Sequence, residues 1–159
     1  MGADLYLGSV FEKHRDKYQS KFYQWASRRD ALQKAGKKQA ADKAQRQASK
    51  YFAKMYERGY FRDSYNRTSL LWLFDLSWWG DVLNVLTDEE GMMDTAAARR
   101  FLRLLESREA NFEANLGKVE LVDGQMRAEV ESYFRDKYSG LKAFLCEAIK
   151  QQEPIECSL

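Results

Sequence analysis

The chain has 159 residues with a formal net charge of +2, and 45% of its residues are hydrophobic and 31% charged. This balance is typical of a globular protein and argues against extensive disorder. One proline and nine glycines argue against collagen-like chains, proline-rich linkers and turn-rich β-sandwiches. No apolar run reaches the length of a membrane span, and the first residues match neither a signal peptide nor a myristoylation site. We therefore expect one cytoplasmic, helical domain over residues 1–159.

Apolar residues recur at helical spacing along most of the chain and predict an all-α bundle of about five helices. The first two should form a long N-terminal hairpin, since Ala41, Ala44 and Ala48 favour close packing against the first helix. The third is the most apolar and should be central, either as one helix or as two short helices interrupted at Gly80. The fourth continues or restarts toward Leu116. The expected helices cover residues 9–35, 39–58, 70–86, 96–109 and 125–151, with an N-terminal segment (1–8), a loop (59–67) and a C-terminal tail (152–159).

Positive and negative charges are unevenly divided along the sequence. Residues 1–67 contain 16 Lys and Arg against 7 Asp and Glu, a net charge of +9, whereas residues 68–159 contain 10 against 17, a net charge of −7. Either the two parts pack together and their fields partly cancel, or the basic part binds nucleic acid or another acidic partner. In the second case the candidate contacts are Lys21, Arg28, Lys37, Lys38 and Arg46.

The residue types that most enzymes and metal sites need are scarce. His14 is the single histidine, no pair of His or Cys has metal-ligand spacing, and the isolated glycines form no phosphate-binding loop. We therefore assign no catalytic residue, no metal and no cofactor from the sequence. Acid–base chemistry at Asp63 or Asp75, or a small-molecule site among the nearby aromatics, stays open as an alternative. The two cysteines, Cys146 and Cys157, indicate a reducing compartment rather than a disulfide framework.

Ten aromatic residues crowd into residues 51–79, which is the most distinctive feature of the sequence. Phe52, Trp72 and Phe74 have the positions of core residues, whereas the adjacent Trp78 and Trp79 cannot both face the centre of a helix bundle. Aromatics beside basic residues favour either of two functions: they stack nucleobases in a basic groove, or they anchor an interface with a protein partner. The basic residues are Lys50, Lys54, Arg58, Arg62 and Arg67. The candidate interaction residues are Tyr60, Phe61, Arg62, Asp63, Tyr65, Trp78 and Trp79.

Short, distinctive strings are spread over most of the chain. They are Gly-Ala-Asp-Leu-Tyr at residues 2–6, Gly-Tyr-Phe-Arg-Asp at 59–63 with Tyr-Asn at 65–66, Leu-Ser-Trp-Trp at 76–79, and Glu-Pro-Ile at 153–155 with Cys-Ser-Leu at 157–159. By these strings the sequence resembles a group of small, uncharacterised bacterial proteins. The resemblance implies a bacterial, cytoplasmic origin, and it implies no activity, cofactor or catalytic residue.

The sequence favours a non-enzymatic protein that binds another macromolecule, in particular another protein, as an inhibitor or an immunity protein would. Nucleic-acid binding by the basic hairpin is the first alternative, and it predicts an affinity that falls steeply with salt. A small-molecule site or an unrecognised enzyme at the aromatic cluster is the second. Association of the chain with itself through the tryptophan pair is compatible with each of these functions, and no membrane contact is expected.

Overall fold

The computed structural model describes residues 3–63 and 69–158. Its contacts divide the chain into two compact units: the hairpin unit, residues 8–60, and the main unit, residues 1–7 and 61–159. The predicted predominance of helix is confirmed, with seven helices among the described residues. The same residues also contain four short strands, so the all-α, five-helix prediction is correct only in its helical character. None of the described helices is both long enough and apolar enough to cross a membrane.

The hairpin unit consists of α1 (Gly8–Lys34) and α2 (Lys38–Met55), the two helices that the alanine pattern predicted. Gly36 lies in the turn between them with a φ of 69°, in the left-handed region that glycine adopts without strain. The amide of Gly36 donates to the carbonyl of Gln33, and the amide of Lys37 donates to the carbonyl of Leu32, both at 3.0 Å. This Schellman pattern satisfies the last carbonyls of α1 and reverses the chain.

The two helices of the hairpin meet along a seam of small side chains on α2. Small residues let the helices approach closely but offer little apolar area, and Phe11 is the buried residue of α1. Rings beside the seam therefore stay accessible. Phe52, predicted as a core residue, is 48% exposed, so that prediction is wrong. The buried residues of α2 are Ala41, Ala44, Ala48 and Met55.

A small sheet consists of four strands: β1 (Ala3–Tyr6), β2 (Tyr60–Asp63), β3 (Met92–Met93) and β4 (Ile155–Ser158). Their order is β2-β1-β4-β3, and β4 pairs antiparallel with both β1 and β3. The sheet corrects the expectation that residues 59–63 form a loop and that both terminal segments lack regular structure. Strands of two to four residues contain too few alternations for a period of two to identify them, and β1 and β4 are far apart in sequence.

Five helices complete the main unit: α3 (Leu70–Leu73), α4 (Trp79–Asn84), α5 (Thr95–Ser107), α6 (Glu109–Leu116) and α7 (Arg127–Gln151). Helix α7 contacts α5 and α3, and α6 contacts the same two helices. The restart of the fourth predicted helix toward Leu116 is confirmed as α6. Phe74 is a core residue as predicted, whereas Trp72 is 52% exposed and is not. The fully buried side chains of this unit include Phe74, Trp79, Phe101, Phe112 and Leu141.

The central apolar segment forms two short helices, and the break between them lies at residues 74–78 rather than at Gly80. Asp75 has a φ of 52°, which ends α3, and Asp tolerates this left-handed conformation better than most residues. The side-chain amides of Asn111 and Asn115 donate to the Asp75 carboxylate at 2.6 and 2.8 Å. Arg108 also donates to the main-chain carbonyl of Asp75 at 2.8 Å. Contacts from α6 and its N-terminal flank therefore fix a break that helical spacing alone does not reveal.

Candidate functional site

Three of the predicted interaction residues are buried in the main unit. Phe61, Asp63 and Trp79 are 7%, 1% and 0% exposed, so none of them presents its side chain to a partner. Phe61 and Trp79 are packed together, with ring centroids 6.2 Å apart. These residues belong to the core of the main unit, and the interaction face predicted from the sequence does not form as a whole.

The remaining members of the predicted face are more accessible. Arg62 is exposed, and its guanidinium Nε lies 3.6 Å from the Asp4 carboxylate on the neighbouring strand. Trp78 is 41% exposed, which confirms that only one ring of the tryptophan pair is buried. Tyr60 belongs to the hairpin unit, where it is half-buried and its ring lies 4.9 Å from that of Tyr56. Tyr65 lies outside the described residues.

Asp63 is the centre of a buried polar network. Its Oδ2 accepts hydrogen bonds from the indole Nε1 of Trp79 at 2.6 Å and from the Ser69 hydroxyl at 3.0 Å. The main-chain amide of Leu70 donates to the same oxygen at 3.0 Å. The ammonium of Lys137 lies 3.4 Å from Oδ1 and supplies the opposite charge. The carboxylate therefore connects the end of β2 to the starts of α3 and α4 and to α7.

This network gives Asp63 a structural role rather than an acid–base role. A general acid or base must reach a substrate proton, whereas Asp63 is closed off from solvent and both of its oxygens have partners. The exposed Asp75 is likewise held by two asparagine amides that support a left-handed residue. The contacts of both carboxylates thus explain their positions through structural roles, without an acid–base function.

A shallow depression of about 500 Å³ lies along α6 and α7. Burial, together with a 2.6 Å hydrogen bond to Glu109, raises the pKa of the Tyr138 phenol. That same hydrogen bond and one from Lys142 lower the pKa of Glu109. Tyr138 and Lys142 are thus paired with Glu109, and Arg135 is paired with Glu113, while Cys146 contributes an exposed free thiol. The lining residues are Phe112, Glu113, Arg135, Tyr138, Ser139, Lys142, Ala143 and Cys146.

The hairpin unit carries most of the positive charge of the protein. Residues 8–60 contain 14 Lys and Arg against 5 Asp and Glu, a net charge of +9. Two of the five carboxylates form ion pairs with the arginine immediately before them in sequence, at 3.2 Å for Asp16 and 2.6 Å for Asp30. The other cations of this unit therefore have few carboxylates to balance them within it.

Cations and aromatic rings are combined along one side of the hairpin. The ammonium groups of Lys17 and Lys54 lie 5.4 and 5.3 Å from the centre of the Tyr18 ring. Lys21 lies 5.7 Å from the Tyr51 ring, and the Arg28 guanidinium lies 5.3 Å from the Trp25 ring. On α1, residues 13, 17, 21 and 28 fall within an arc of about 80°. We call this surface the basic flank; it comprises Lys13, Lys17, Tyr18, Lys21, Trp25, Arg28, Tyr51 and Lys54.

Two of the five predicted nucleic-acid contacts, Lys21 and Arg28, lie on the basic flank. Lys37 and Lys38 are exposed where the turn meets α2. Arg46 is exposed on α2, about two turns before Lys54 of the flank. The structure therefore groups Lys21 with Arg28 on the flank.

The sequence did not lead to Tyr18 and Trp25 as binding residues, although a local signal was present. Tyr18, Trp25 and Tyr51 are each followed by a cation three residues later. That spacing puts the ring and the cation on neighbouring positions of one helix face. A search for an aromatic residue followed at this spacing by Lys or Arg finds all three pairs.

Comparison of the chain with protein-family models, curated proteins and solved structures finds no match. Within residues 3–63 and 69–158, no group of three or more His, Cys, Asp and Glu side chains is arranged to hold a metal ion. The function of this protein is therefore argued from its own residues.

Proposed function

We propose that this protein binds nucleic acid through the basic flank of its hairpin unit. The observation that carries the proposal is the set of cation–ring contacts on one side of a unit with a net charge of +9. Lysine and arginine attract phosphates, and accessible aromatic rings stack on bases, so the two residue types together suit a nucleic-acid chain. A protein partner at the β2–α4 junction has less support, because Phe61, Asp63 and Trp79 are buried.

The length of the basic flank matches a short stretch of nucleic acid. From Lys13 to Arg28 the axis of α1 advances about 22 Å at about 1.5 Å per residue. With the spacing of one strand of B-form DNA, a phosphate about every 3.4 Å, a strand presents about six phosphates over that length. With five cations on the flank and about 0.7 counterions per contact, a single strand should release about three to four counterions, and its affinity should fall about 100-fold between 50 and 200 mM salt.

Fluorescence anisotropy of a labelled 20-nucleotide strand over a salt series tests this proposal. The triple variant Lys17→Gln, Lys21→Gln and Arg28→Gln removes three charges from the flank. We expect it to bind more weakly at low salt and to reduce the magnitude of the salt slope by about two.

A matched control separates the basic flank from net charge. Three other exposed cations lie at the turn end of the hairpin, beyond Arg28 and outside the flank: Lys34, Lys37 and Lys38. Changing these three to Gln removes the same charge, and we expect most of the affinity and slope to remain. Equal losses in the two triple variants, or no salt-dependent binding by the wild type, would refute the proposal.

The proposed setting is the bacterial cytoplasm. Both Cys146 and Cys157 are free thiols, which is typical of proteins from reducing compartments. The resemblance to small bacterial proteins supports the same setting. No enzymatic activity forms part of the proposal.

A second candidate function is the binding of a protein partner, as an inhibitor or immunity protein would, on the main unit. The observation that favours it is the exposure of two large rings, Trp72 at 52% and Trp78 at 41%. Tryptophan is enriched among residues that dominate binding energy at interfaces. The test is affinity capture from nuclease-treated lysate with the wild type, Trp72→Ala and Trp78→Ala. A stoichiometric protein that is lost in either variant supports this function, and one retained by both contradicts it.

A further inference from the structure

We infer that the nucleic acid recognised by the basic flank is single-stranded, with its phosphates along the cations of α1 and its unpaired bases stacked on Trp25, Tyr18 and Tyr51. This inference rests on the proposed function and specifies its ligand class. Bases in a duplex have their faces covered by neighbouring base pairs, so only an unpaired base can use an aromatic ring as a platform.

On α1, Tyr18 and Trp25 lie about 40–60° around the helix axis from Lys21, on the side where Tyr18 meets Tyr51 of α2. Tyr18 and Tyr51 have centroids 6.4 Å apart and are tilted by 31°, so they form a shared platform across the two helices. Tyr18, Trp25 and Tyr51 are all partly exposed. Each ring therefore has a part that a base can reach once the cation beside it moves to a phosphate.

A row of small, buried side chains on α2 holds this platform together. The row leads to Tyr51 at spacings of three, four and three residues, which is the pattern of a single helix face, and its members are Ala41, Ala44 and Ala48. An alanine side chain ends at Cβ, so α1 can approach α2 closely along the row. The Tyr51 ring at the end of the row therefore reaches the Tyr18 ring of α1, and the platform is set by the packing of the hairpin before any strand binds.

The width of the hairpin argues against readout of a duplex by the same surface. A major groove about 12 Å wide admits one helix, whose own diameter with side chains is about 10–12 Å. The basic flank is built from two helices side by side, with axes about 8–10 Å apart, so together they are too wide to enter the groove. A duplex could contact the cations through its phosphates, but its paired bases would not stack on the three rings.

The cations and rings that pair in the free protein have a second set of partners in the complex. Tyr18 has a lysine on each helix near its ring, and Trp25 has Arg28. Long lysine and arginine side chains can move to phosphates without backbone change, and each movement uncovers a ring for a base. The free flank thereby keeps its aromatic surface covered until a strand that offers both phosphates and bases arrives.

The test compares a 20-nucleotide oligothymidine with a 20-base-pair duplex at a fixed salt concentration. We expect the wild-type protein to prefer the single strand, and Trp25→Leu and Tyr51→Leu each to weaken single-strand binding by about 5- to 100-fold. Duplex binding should be unchanged in both variants. Tyr51→Phe keeps the ring and should bind like the wild type, and Phe52→Leu, an exposed ring outside the flank, is the matched control.

Photocrosslinking keeps the inference testable if a leucine variant fails to fold. A strand containing 5-iodouracil, irradiated with the wild-type protein and mapped by mass spectrometry, should crosslink to Tyr18, Trp25 or Tyr51. Crosslinks confined to other parts of the chain would overturn the inference. Equal affinity for both oligonucleotides, with ring variants unaffected but the cation variant impaired, would overturn single-strand recognition and leave the proposed function intact. Failure of both oligonucleotides to bind would overturn the inference and the proposed function together.

Discussion

Replacement of Asp63 by asparagine tests whether its buried network holds the main unit together. Asparagine has nearly the same shape and keeps one carbonyl oxygen as an acceptor, so it can still receive a hydrogen bond from Trp79. It removes the negative charge that faces Lys137 at 3.4 Å. The substitution therefore isolates the charge from the volume of the side chain.

The expected loss follows from the burial of both partners. The Asp63 side chain is 1% exposed and that of Lys137 is 13% exposed, so the ammonium left behind has little access to water. Removing one partner of a buried ion pair costs about 3–5 kcal/mol. We expect about 3 kcal/mol for Asp63→Asn, because hydrogen bonding partly survives. Asp63→Ala should cost more, since it also leaves a buried indole N–H and a main-chain amide unsatisfied at about 1–3 kcal/mol each.

Urea unfolding followed by tryptophan emission measures this loss. Trp72, Trp78 and Trp79 all belong to the main unit, and the Trp79 indole donates to Asp63 itself. The double variant Asp63→Asn with Lys137→Met removes the unpaired charge and should recover part of the stability lost in Asp63→Asn. An Asp63→Asn protein within about 1 kcal/mol of the wild type, or a double variant no more stable than Asp63→Asn, would refute the reasoning.

Three smaller perturbations test other parts of the main unit. Burial raises the pKa of the Cys157 thiol to about 12, whereas the thiol of an unfolded chain has a pKa of about 8.5. The protonated, buried thiol therefore contributes fully to the free energy of unfolding below the unfolded pKa, and this contribution falls as the pH rises from there toward the folded pKa. By about pH 9.5 the wild type should lose about 1.4 kcal/mol more than Cys157→Ala in urea unfolding, and equal losses would contradict this. In Gly80→Ala the new methyl group would come within 2.5 Å of the Trp78 ring. The half-exposed ring should therefore move outward into solvent and shift tryptophan emission to the red. An unchanged emission spectrum would contradict this movement. Asp75→Ala should cost about 1–2 kcal/mol, because alanine lacks the local hydrogen bonding that helps Asp adopt a left-handed φ. Asp75→Asn should cost less, and equal losses in urea unfolding would contradict this account.

The hairpin is the part of the fold that the sequence predicts well. Ala41, Ala44 and Ala48 mark the inner face of α2, and Gly36 marks the turn, so local spacing contains the information for both helices. The end of α7 is equally local, because Pro154 cannot continue a helix and Gln152 closes it with a φ of 53°.

The sheet and the position of the break in the central segment could not be predicted, because both depend on distant residues. Leu5 lies on a strand whose partner, β4, is at the other end of the sequence. Asp75 ends α3 with support from Asn111 and Asn115, which lie more than thirty residues later. Helical periodicity in a continuous apolar segment gives no sign of such contacts.

The candidate site shows the same division between local and distant information. The charge excess of the hairpin and the choice of Lys21 and Arg28 follow from composition. The assignment of Phe61 and Asp63 to a binding face is wrong, because turn formers near them suggested a loop. A buried aspartate on a strand is recognisable only with its partner Lys137, which lies on α7.

The pairing of β1 with β4 also sets the order in which the protein can fold during its synthesis. The contacts of α1 with α2 are local, and helical pairs of this kind form within microseconds to milliseconds. At about 5–20 residues per second, the ribosome needs a further 5 to 20 s or so to deliver β4 after α2 is complete. Until then β1 lacks one of its two neighbours and leaves an open edge. Premature termination before residue 155 would therefore leave an intact hairpin attached to an unfinished, aggregation-prone sheet.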